Sequence, residues 1–307
     1  MKLLVFGAGA VGGYFGGRMA AAGLDITFVA RGDRARKLRK DGLTIRSPDG
    51  EMRADDLDIR IAGEALPAAD ILLLAIKAKG LDEAIASLKG TIDKGTLIAP
   101  LLNGLRHIDA LVEAFGEERV AGGVSYIQGS VDEDGAVRRH NEIHKLAVGA
   151  RRDSQAPVLK EFVDYVRPAG FAVEYAADID QAMWNKVTFL ATLAAATCLA
   201  RGAVGEIIAA PFGEDTMRGL FDECLKVAEA EGHALPAAAI GVGEQMLFAK
   251  GSGLSSSMFG DIRAGRTTEA DHIIGDLVRR AAQRGVATPL LKAAHTAVSV
   301  YESRLPR

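Results

Sequence analysis

The first half of the chain alternates short, fully apolar runs with polar or amphipathic segments. Unbroken apolar runs of this kind are typical of parallel strands that are buried on both faces of a sheet. Strands are predicted in four such segments: Leu3–Phe6, "DITFVAR", "ADILLLAIK" and "GTLIAPLLNG". Charged or amphipathic helices are predicted between them, over residues 34–40, 81–88 and 108–115. This alternation predicts a parallel, doubly wound sheet.

Shorter strand patterns follow, and after Tyr175 only helical periodicity remains. The segment "LTIRSPDGEMR" predicts a hairpin that turns at Asp49 and Gly50. Further strands are predicted in "VSYIQGSV", "HKLAVGA" and "GFAVEY", with a helix over residues 157–166. The predicted fold class is α/β, with an N-terminal Rossmann-type doubly wound parallel sheet followed by an all-α C-terminal domain. Because single cores rarely exceed roughly 250 to 300 residues, we place two domains at residues 1–177 and 178–307.

Composition and charge narrow the possible functions. The formal net charge is -3 and the Lys and Arg residues are scattered, so no nucleic-acid partner is predicted. Cys198 and Cys224 lie in apolar helical patterns and are interpreted as reduced core thiols of a cytoplasmic protein. The apolar run over residues 187–200 is shorter than the about 20 residues of a membrane span. We therefore predict no membrane binding. The six histidines show no ligand spacing, so we also predict no metal site.

A glycine motif of the type G-x-G-x-x-G follows the first predicted strand and opens a helix. In this context Gly7 allows a tight turn, Gly9 lets a pyrophosphate approach the backbone, and Gly12 lets helix and strand pack closely. The amides of Ala10 and Val11 would face the anion at the positive end of the helix. The motif therefore predicts dinucleotide binding, although glycine-rich turns also occur without this role.

The end of the second strand carries the residues expected to distinguish NADP from NAD. An acidic residue there would hold the ribose hydroxyls of NAD, whereas a basic one would pair with the additional phosphate of NADP. Arg31 stands at this position, followed by Arg34 and Arg36, so NADP is favoured. The alternative is that Arg31 is a solvated loop residue and that Asp33 reaches the ribose.

Two polar residues end the later strands of the predicted sheet. Lys77 ends "ILLLAIK" and Asn103 ends "TLIAPLLNG", and ligands of open α/β sheets bind beyond the carboxyl ends of the strands. Each has an ordinary interpretation, as a solvated lysine and as a turn asparagine. Because both would share an edge with the glycine turn, we predict that they lie over the cofactor.

Lys186 stands at the head of an otherwise apolar run, "KVTFLATLAAATCLA". Helical spacing puts Leu190 and Ala194 on the same face as this lysine. A lysine packed on an apolar face either extends its ammonium to solvent or has a function. Glu269, in the predicted first turn of a later helix, would be favoured there by the helix dipole in any protein, and gains interest only if it meets Lys186.

Taken together, these segments resemble the ketopantoate reductases (2-dehydropantoate 2-reductases) along the whole chain. The resemblance is carried in order by "GAGAVGGYFGGRMAAAG", the arginine after the second strand, "LLLAIKAK", "LLNGL", "MWNKV" and "SSSMFGDIRAGRTTE". It implies an N-terminal Rossmann domain that binds NADPH and a helical C-terminal domain that closes over a small branched 2-oxo acid. It further implies reduction of 2-dehydropantoate to pantoate, a step of pantothenate biosynthesis.

The resemblance also assigns roles to particular residues. Lys186 would be the general acid beside the substrate carbonyl, and Glu269 would help to position substrate and lysine. Ser257 would form a hydrogen bond with the substrate, and Asn103 and Lys77 would lie near the nicotinamide and the reacting centre.

The chain departs from the family pattern on the lysine helix. Well-known ketopantoate reductases carry asparagines one and two helical turns after the lysine, where this chain has Leu190 and Ala194. An apolar wall in place of amides favours, as an alternative, a different 2-oxo acid with fewer hydroxyls. A second alternative is a nicotinamide-binding sensor without turnover, which would need neither Lys186 nor Glu269. The apolar helices of the second half are also candidates for a homodimer surface.

Overall fold

The computed structural model describes residues 1–306; Arg307, the last residue of the predicted second domain, lies outside the described residues. The chain divides into two units. The first contains Met1–Leu102 and His107–Ile179, and the second contains Asn103–Arg106 together with the chain from Asp180 onwards. The short segment Asn103–Arg106 is therefore separated in its packing from its sequence neighbours and belongs to the second unit.

Ten strands lie in the first unit. In chain order they are β1 Leu3–Phe6, β2 Ile26–Ala30, β3 Leu43–Ser47, β4 Gly50–Ala54, β5 Asp58–Ile61, β6 Ile71–Leu74, β7 Leu97–Pro100, β8 Gly122–Val131, β9 Val137–Gly149 and β10 Ala172–Tyr175. Five of them form a parallel sheet in the order β5-β2-β1-β6-β7. The four central segments predicted from apolar runs are all in this sheet, and every residue of β1, β2, β6 and β7 is buried. The predicted doubly wound parallel sheet is confirmed.

The remaining strands form a second sheet, in the order β10-β9-β3-β4 with β8 paired to β9. The predicted hairpin is present, because β3 and β4 are antiparallel and Ser47 pairs with Gly50. The direct hairpin connection accounts for this antiparallel pair, while β3 also pairs in parallel with β9. Strand β5 was not predicted, since its sequence "DIRI" is half charged and only Ile59 is buried.

Five helices accompany these strands: α1 Ala10–Ala21, α2 Gly32–Asp41, α3 Leu81–Leu88, α4 Arg106–Phe115 and α5 Ala156–Val166. Short 3-10 turns lie at Ala78–Gly80, Glu117–Arg119, Asp153–Gln155 and Arg167–Ala169. The hydrophobic core of the first unit is built from the strands, from α1 and from α5, with Phe15, Phe28 and Phe162 fully buried.

In the described residues of the second unit, helices are the only regular elements, so the predicted all-α C-terminal part is confirmed. Its helices are α6 Ile179–Ala200, whose first residue belongs to the first unit, α7 Val204–Ala209, α8 Gly213–Ala230, α9 Ala237–Leu247, α10 Ser257–Arg263, α11 Asp276–Gln283 and α12 Pro289–Ser303. A π-helical turn at Asp271–Gly275 precedes α11. Within residues 1–306, no helix combines the length and the apolarity needed to cross a membrane.

Several buried polar side chains of the second unit form hydrogen bonds, although the buried hydroxyls of Thr188 and Thr288 do not. The hydroxyls of Thr192 and Thr197 donate to the backbone carbonyls of Thr188 and Leu193 one turn earlier, at 2.8 and 2.7 Å. The buried carboxylate of Glu223 accepts from the amides of Leu290 and Leu291 in the first turn of α12. Such bonds let α6 and α8 bury polar side chains without loss of stability.

Candidate active site

The glycine turn has the geometry that its sequence predicts. Gly7 has φ +99°, and a Cβ placed there would lie 2.5 Å from the carbonyl oxygen of Ala75. A Cβ on Gly12 would lie 2.0 Å from the carbonyl oxygen of Gly7. Around Gly9, by contrast, no heavy atom lies within 4 Å of a built Cβ. The turn is therefore closed on the side that faces the sheet and open at the glycine that a pyrophosphate would approach.

Helix α1 begins directly after this open glycine. Its N-cap residue, Gly9, has no side chain that could cap the first amides, and Ala10 and Val11 are only partly buried. The first amides of a helix have no partner within the helix and carry a partial positive charge. A cradle that lacks side chains and ends in free amides fits the pyrophosphate of a dinucleotide.

Arg31 and Lys77 both lie at the surface, after the strands β2 and β6. The Arg31 guanidinium contacts the Glu83 carboxylate at 2.7 Å, and both side chains are about 70% exposed. Asp33, the alternative ribose ligand, is 93% exposed and pairs with Arg36. The roles of Arg31 and Lys77 toward a cofactor stay predictions.

The arginine that touches the glycine turn is Arg34, which the sequence groups with Arg31 and Arg36 as favouring NADP. Its Nε donates to the carbonyl of Ala8 at 2.8 Å, and its Nη1 donates to the carbonyl of Gly135 at 2.7 Å. Burial lowers the pKa of this guanidinium. Arg34 thus links α2 to the turn and supports it from behind.

Lys186 lies on α6 in the second unit, among buried neighbours. Its side chain is half-buried, and its Nζ donates to Oδ1 of Asn103 at 2.9 Å. Burial lowers the pKa of Lys186 from the ordinary 10.5 to about 8, and the negative charge of Glu269 opposes this decrease. An amine with a pKa near the working pH can both hold and release a proton.

Glu269 is a half-buried residue just before the π-helical turn, rather than a residue inside the predicted helix. Its carbonyl accepts from the amide of Ile273 at 3.0 Å, which starts the helical geometry. The hydroxyl of Thr268 accepts from the amide of Ala270 at 3.1 Å. The helical unit thus brings together Lys186, Asn103 and Glu269.

Ser257 is exposed and is the first residue of α10. The preceding serine, Ser256, caps this helix by accepting from the amide of Phe259, and its hydroxyl lies 2.8 Å from that of Thr197 on α6. Thr197 is eleven residues beyond Lys186, or about 16 Å along the helix axis. Hydrogen bonding of Ser257 to a substrate therefore stays a prediction.

Leu190 and Ala194 lie on α6 between these two points. Ala194 is buried and Leu190 is partly exposed. The positions that carry amides in well-known ketopantoate reductases thus form an apolar surface in this chain.

The thiols Cys198 and Cys224 are both free and buried, and burial raises their pKa values to about 11 and about 12.

Comparison with known proteins identifies the family. The model of "Ketopantoate reductase PanE/ApbA" matches residues 3–153, and that of "Ketopantoate reductase PanE/ApbA C terminal" matches residues 178–302. The chain belongs to the ketopantoate reductase family. A relative from Bacillus subtilis (strain 168), described as uncharacterized oxidoreductase YkpB, is 32% identical over 99% of both chains.

Two solved structures resemble this family member over nearly their whole length. The PanE/ApbA family ketopantoate reductase from Ralstonia eutropha JMP134 has a TM-score of 0.89, with 26% identity and 99% coverage of both chains. D-mandelate dehydrogenase, solved with NADH and anilino(oxo)acetate, has a TM-score of 0.88, with 23% identity and 99% coverage of both chains. The second likeness shows the fold alone. The chain is thus an oxidoreductase of the ketopantoate reductase family.

No cluster of three or more His, Cys, Asp or Glu side chains in the described part of the chain is arranged to hold a metal ion.

The contact that sequence reasoning missed is that of His272 with the Asn103 turn. A buried histidine in a helical pattern gives no signal of its own, because it is read as part of the core.

Proposed function

We propose that this oxidoreductase uses NADPH to reduce a small 2-oxo acid, with 2-dehydropantoate as the first candidate and pantoate as its product. The observation that carries the proposal is the state of Lys186. Lys186 is a partly buried residue whose ammonium donates to Asn103 at 2.9 Å, has a pKa of about 8 and is influenced by the negative charge of Glu269. These are the properties of a general acid.

The chemistry requires charge stabilisation and a proton at the same oxygen. When it is bound, the nicotinamide supplies the hydride that the substrate carbonyl carbon accepts. Negative charge then develops on the carbonyl oxygen, where the Lys186 ammonium stabilises it and transfers a proton. Glu269 keeps the lysine protonated before this transfer, and Asn103 fixes the direction of its Nζ. Ser257 is proposed as a further hydrogen-bonding contact to the substrate.

We assign cofactor binding to residues 1–177, and substrate binding with acid catalysis to residues 178–307. The open space at Gly9 and the close packing at Gly7 and Gly12 support a dinucleotide in the first part. Arg31 is the proposed partner of the NADP phosphate, while Lys77 and Asn103 are proposed to lie near the nicotinamide. Arg31→Glu should abolish the preference for NADPH over NADH. An unchanged preference would refute the assignment of Arg31 to the NADP phosphate.

A second candidate function is favoured by the apolar surface of α6. Leu190 and Ala194 offer no hydrogen bond to a hydroxylated substrate, so a 2-oxo acid with an apolar side chain would fit better there. The D-mandelate dehydrogenase neighbour, with its NADH and anilino(oxo)acetate, indicates that the fold by itself decides neither the acid nor the cofactor. A sensor without turnover would gain nothing from an acid such as Lys186.

The wider setting is part of the same proposal. Reduction of 2-dehydropantoate would place the enzyme in pantothenate biosynthesis. We also propose a cytoplasmic location and a small-molecule substrate as its partner, with no binding to nucleic acid or membrane. We also propose a homodimer, which a molar mass measured by light scattering would test.

The deciding experiment is steady-state oxidation of NADPH with 2-dehydropantoate and a panel of other 2-oxo acids. Efficient turnover of 2-dehydropantoate supports the first candidate, and turnover of an apolar acid alone supports the second. In either case Lys186→Ala should reduce kcat by about 10²- to 10⁴-fold while NADPH still binds. Near-normal turnover by Lys186→Ala would refute the acid role, and tight NADPH binding without any turnover would favour the sensor.

A further inference from the structure

The segment that carries Asn103 is held within the helical unit at three points. Asn103 accepts from Lys186, and Arg106 contacts the carboxylate of Asp271 at 2.9 Å. The third point is His272, whose imidazole forms a hydrogen bond with the backbone of Asn103. This bond raises the pKa of the ring, so the ring is the donor and the carbonyl is the acceptor.

Close packing reinforces the contact between His272 and the Asn103 turn. Gly104, the residue after Asn103, has φ +86°, and a Cβ built on it would lie 2.9 Å from Cδ2 and 3.2 Å from Nε2 of His272. The turn can adopt this conformation and lie this close to the ring only because residue 104 is glycine. His272 is itself 8% exposed, which leaves the imidazole little room to move.

The π-helical turn at Asp271–Gly275 presents this histidine. π-helical turns are rare in proteins, and many of those that occur lie at functional sites. This turn begins two residues after Glu269 and contains both Asp271, which binds Arg106, and His272. Within four residues, 269–272, the chain therefore carries the carboxylate that acts on Lys186 and the imidazole that contacts the partner of Lys186.

The ring acts as a neutral donor. Burial lowers the pKa of His272, the charge of Arg106 lowers it further, and the charges of Asp271 and Asp276 act in the opposite direction. A neutral imidazole keeps one N–H, and the carbonyl of Asn103 fixes which nitrogen carries it.

We propose that His272 is a positioning residue that holds the Asn103 turn and, through the Asn103 amide, the orientation and charge of Lys186. The inference rests on the proposed role of Lys186 as general acid. Loss of the bond would let the Asn103 side chain leave Lys186. Since Asn103 accepts from the ammonium, its departure would also favour the uncharged amine.

The test compares three substitutions of His272. His272→Leu removes the donor. The Cδ2–Nε2 edge of the ring faces Gly104, so His272→Gln places an amide donor near Nε2, whereas His272→Asn places its amide near Nδ1. We expect His272→Leu and His272→Asn to lower kcat about ten- to a hundredfold, with an unchanged KM for NADPH. In His272→Leu and His272→Asn the alkaline limb of the kcat–pH profile should move to lower pH. His272→Gln should restore most of the wild-type kcat and of the wild-type pH profile.

A second readout does not depend on the substrate. In protein labelled with ¹³Cε-lysine, the Lys186 resonance is assigned by its absence in Lys186→Met and is titrated in each variant. The titration midpoint should fall in His272→Leu and His272→Asn and return in His272→Gln. His295→Gln is the matched control, because His295 lies 3.6 Å from Asp271 and is a neighbour of the π turn rather than a donor to Asn103.

The outcomes separate this inference from the proposed function. Unchanged kcat and midpoint in folded His272→Leu and His272→Asn would overturn the inference while Lys186 remains the acid. Absence of turnover in the wild type would refute the function, yet a shifted midpoint would still support the link between His272 and Lys186. Fluorescence of Trp184, the single tryptophan and two residues before Lys186, reports whether α6 is intact in each variant.

Discussion

The glycine turn is made of backbone, whereas the Lys186 site is made of side chains. At Gly7 and Gly12 the decisive feature is the absence of a Cβ, because a neighbouring carbonyl oxygen occupies the space. At Lys186 the decisive features are a hydrogen bond to Asn103 and a pKa lowered by burial. The first site should fail by steric clash, which also affects folding, while the second should fail in its chemistry with folding preserved.

The largest expected effect is that of Gly12→Ala, which tests the steric half of the comparison. Alanine normally stabilises a helix by about 1 kcal/mol relative to glycine. Here its Cβ would lie 2.0 Å from the Gly7 carbonyl oxygen and 2.9 Å from the Cβ of Ala75, so α1 would have to move. We expect a loss of about 1 to 3 kcal/mol in the free energy of unfolding. NADPH binding should be lost, as measured by urea denaturation and fluorescence titration.

Gly9→Ala is the matched control for that variant. Its φ is -87° and its built Cβ meets no atom within 4 Å, so the free energy of unfolding should change by no more than about 0.5 kcal/mol. NADPH affinity should nevertheless fall about tenfold or more, because the new methyl group occupies the pyrophosphate approach. Equal stability of the two variants would contradict the steric account of the turn.

Lys186→Met tests the other half through the pH dependence of stability. The folded pKa of Lys186 is about 8 and the ordinary value is 10.5, so between these pH values the unfolded chain binds more protons than the folded one. The free energy of unfolding of the wild type should therefore gain up to about 3 kcal/mol across this range, relative to Lys186→Met. Thermal denaturation between pH 7 and 10.5 measures the difference, with Lys226→Met on the exposed side of α8 as the control for loss of a lysine.

Glu269→Gln separates the charge of Glu269 from its shape. Its carboxylate raises the pKa of Lys186, so its removal should move the alkaline limb of kcat to lower pH and reduce kcat about tenfold at pH 8. Glu302→Gln is the control, since Glu302 accepts from the amide and the hydroxyl of Thr268 at 2.7 Å each and only holds the neighbouring loop. An identical pH profile for both variants would remove Glu269 from the proposed site.

The two sites also differ in how far the sequence predicts them. The glycine turn could be predicted because its determinants are adjacent in the chain: a strand, three glycines at fixed spacing and a helix. The parallel sheet followed for the same reason, from apolar runs that each form a local element.

The environment of Lys186 could not be predicted from local patterns. It depends on Asn103, 83 residues away, and on Glu269, which lies before a π-helical turn that no periodicity indicates. The grouping of Asn103–Arg106 with the helical unit is likewise invisible in the sequence, because the segment follows a strand of the other unit. The separate second sheet was missed because strand patterns indicate where strands lie but not which strands pair.

The smallest expected effect concerns Arg31, at the exposed end of the proposed cofactor site. It sharpens the comparison because a side chain, and not only backbone, would contribute there. Glu83 pairs with Arg31 at 2.7 Å and competes with any phosphate for its guanidinium. Exposed pairs of this kind contribute about 0 to 1 kcal/mol, so Glu83→Gln should leave the melting temperature unchanged. The freed Arg31 should bind NADPH about two- to fivefold more tightly, with NADH affinity unaltered, in a titration at low salt. If the affinities for both cofactors change equally, Arg31 does not recognise the additional phosphate of NADP.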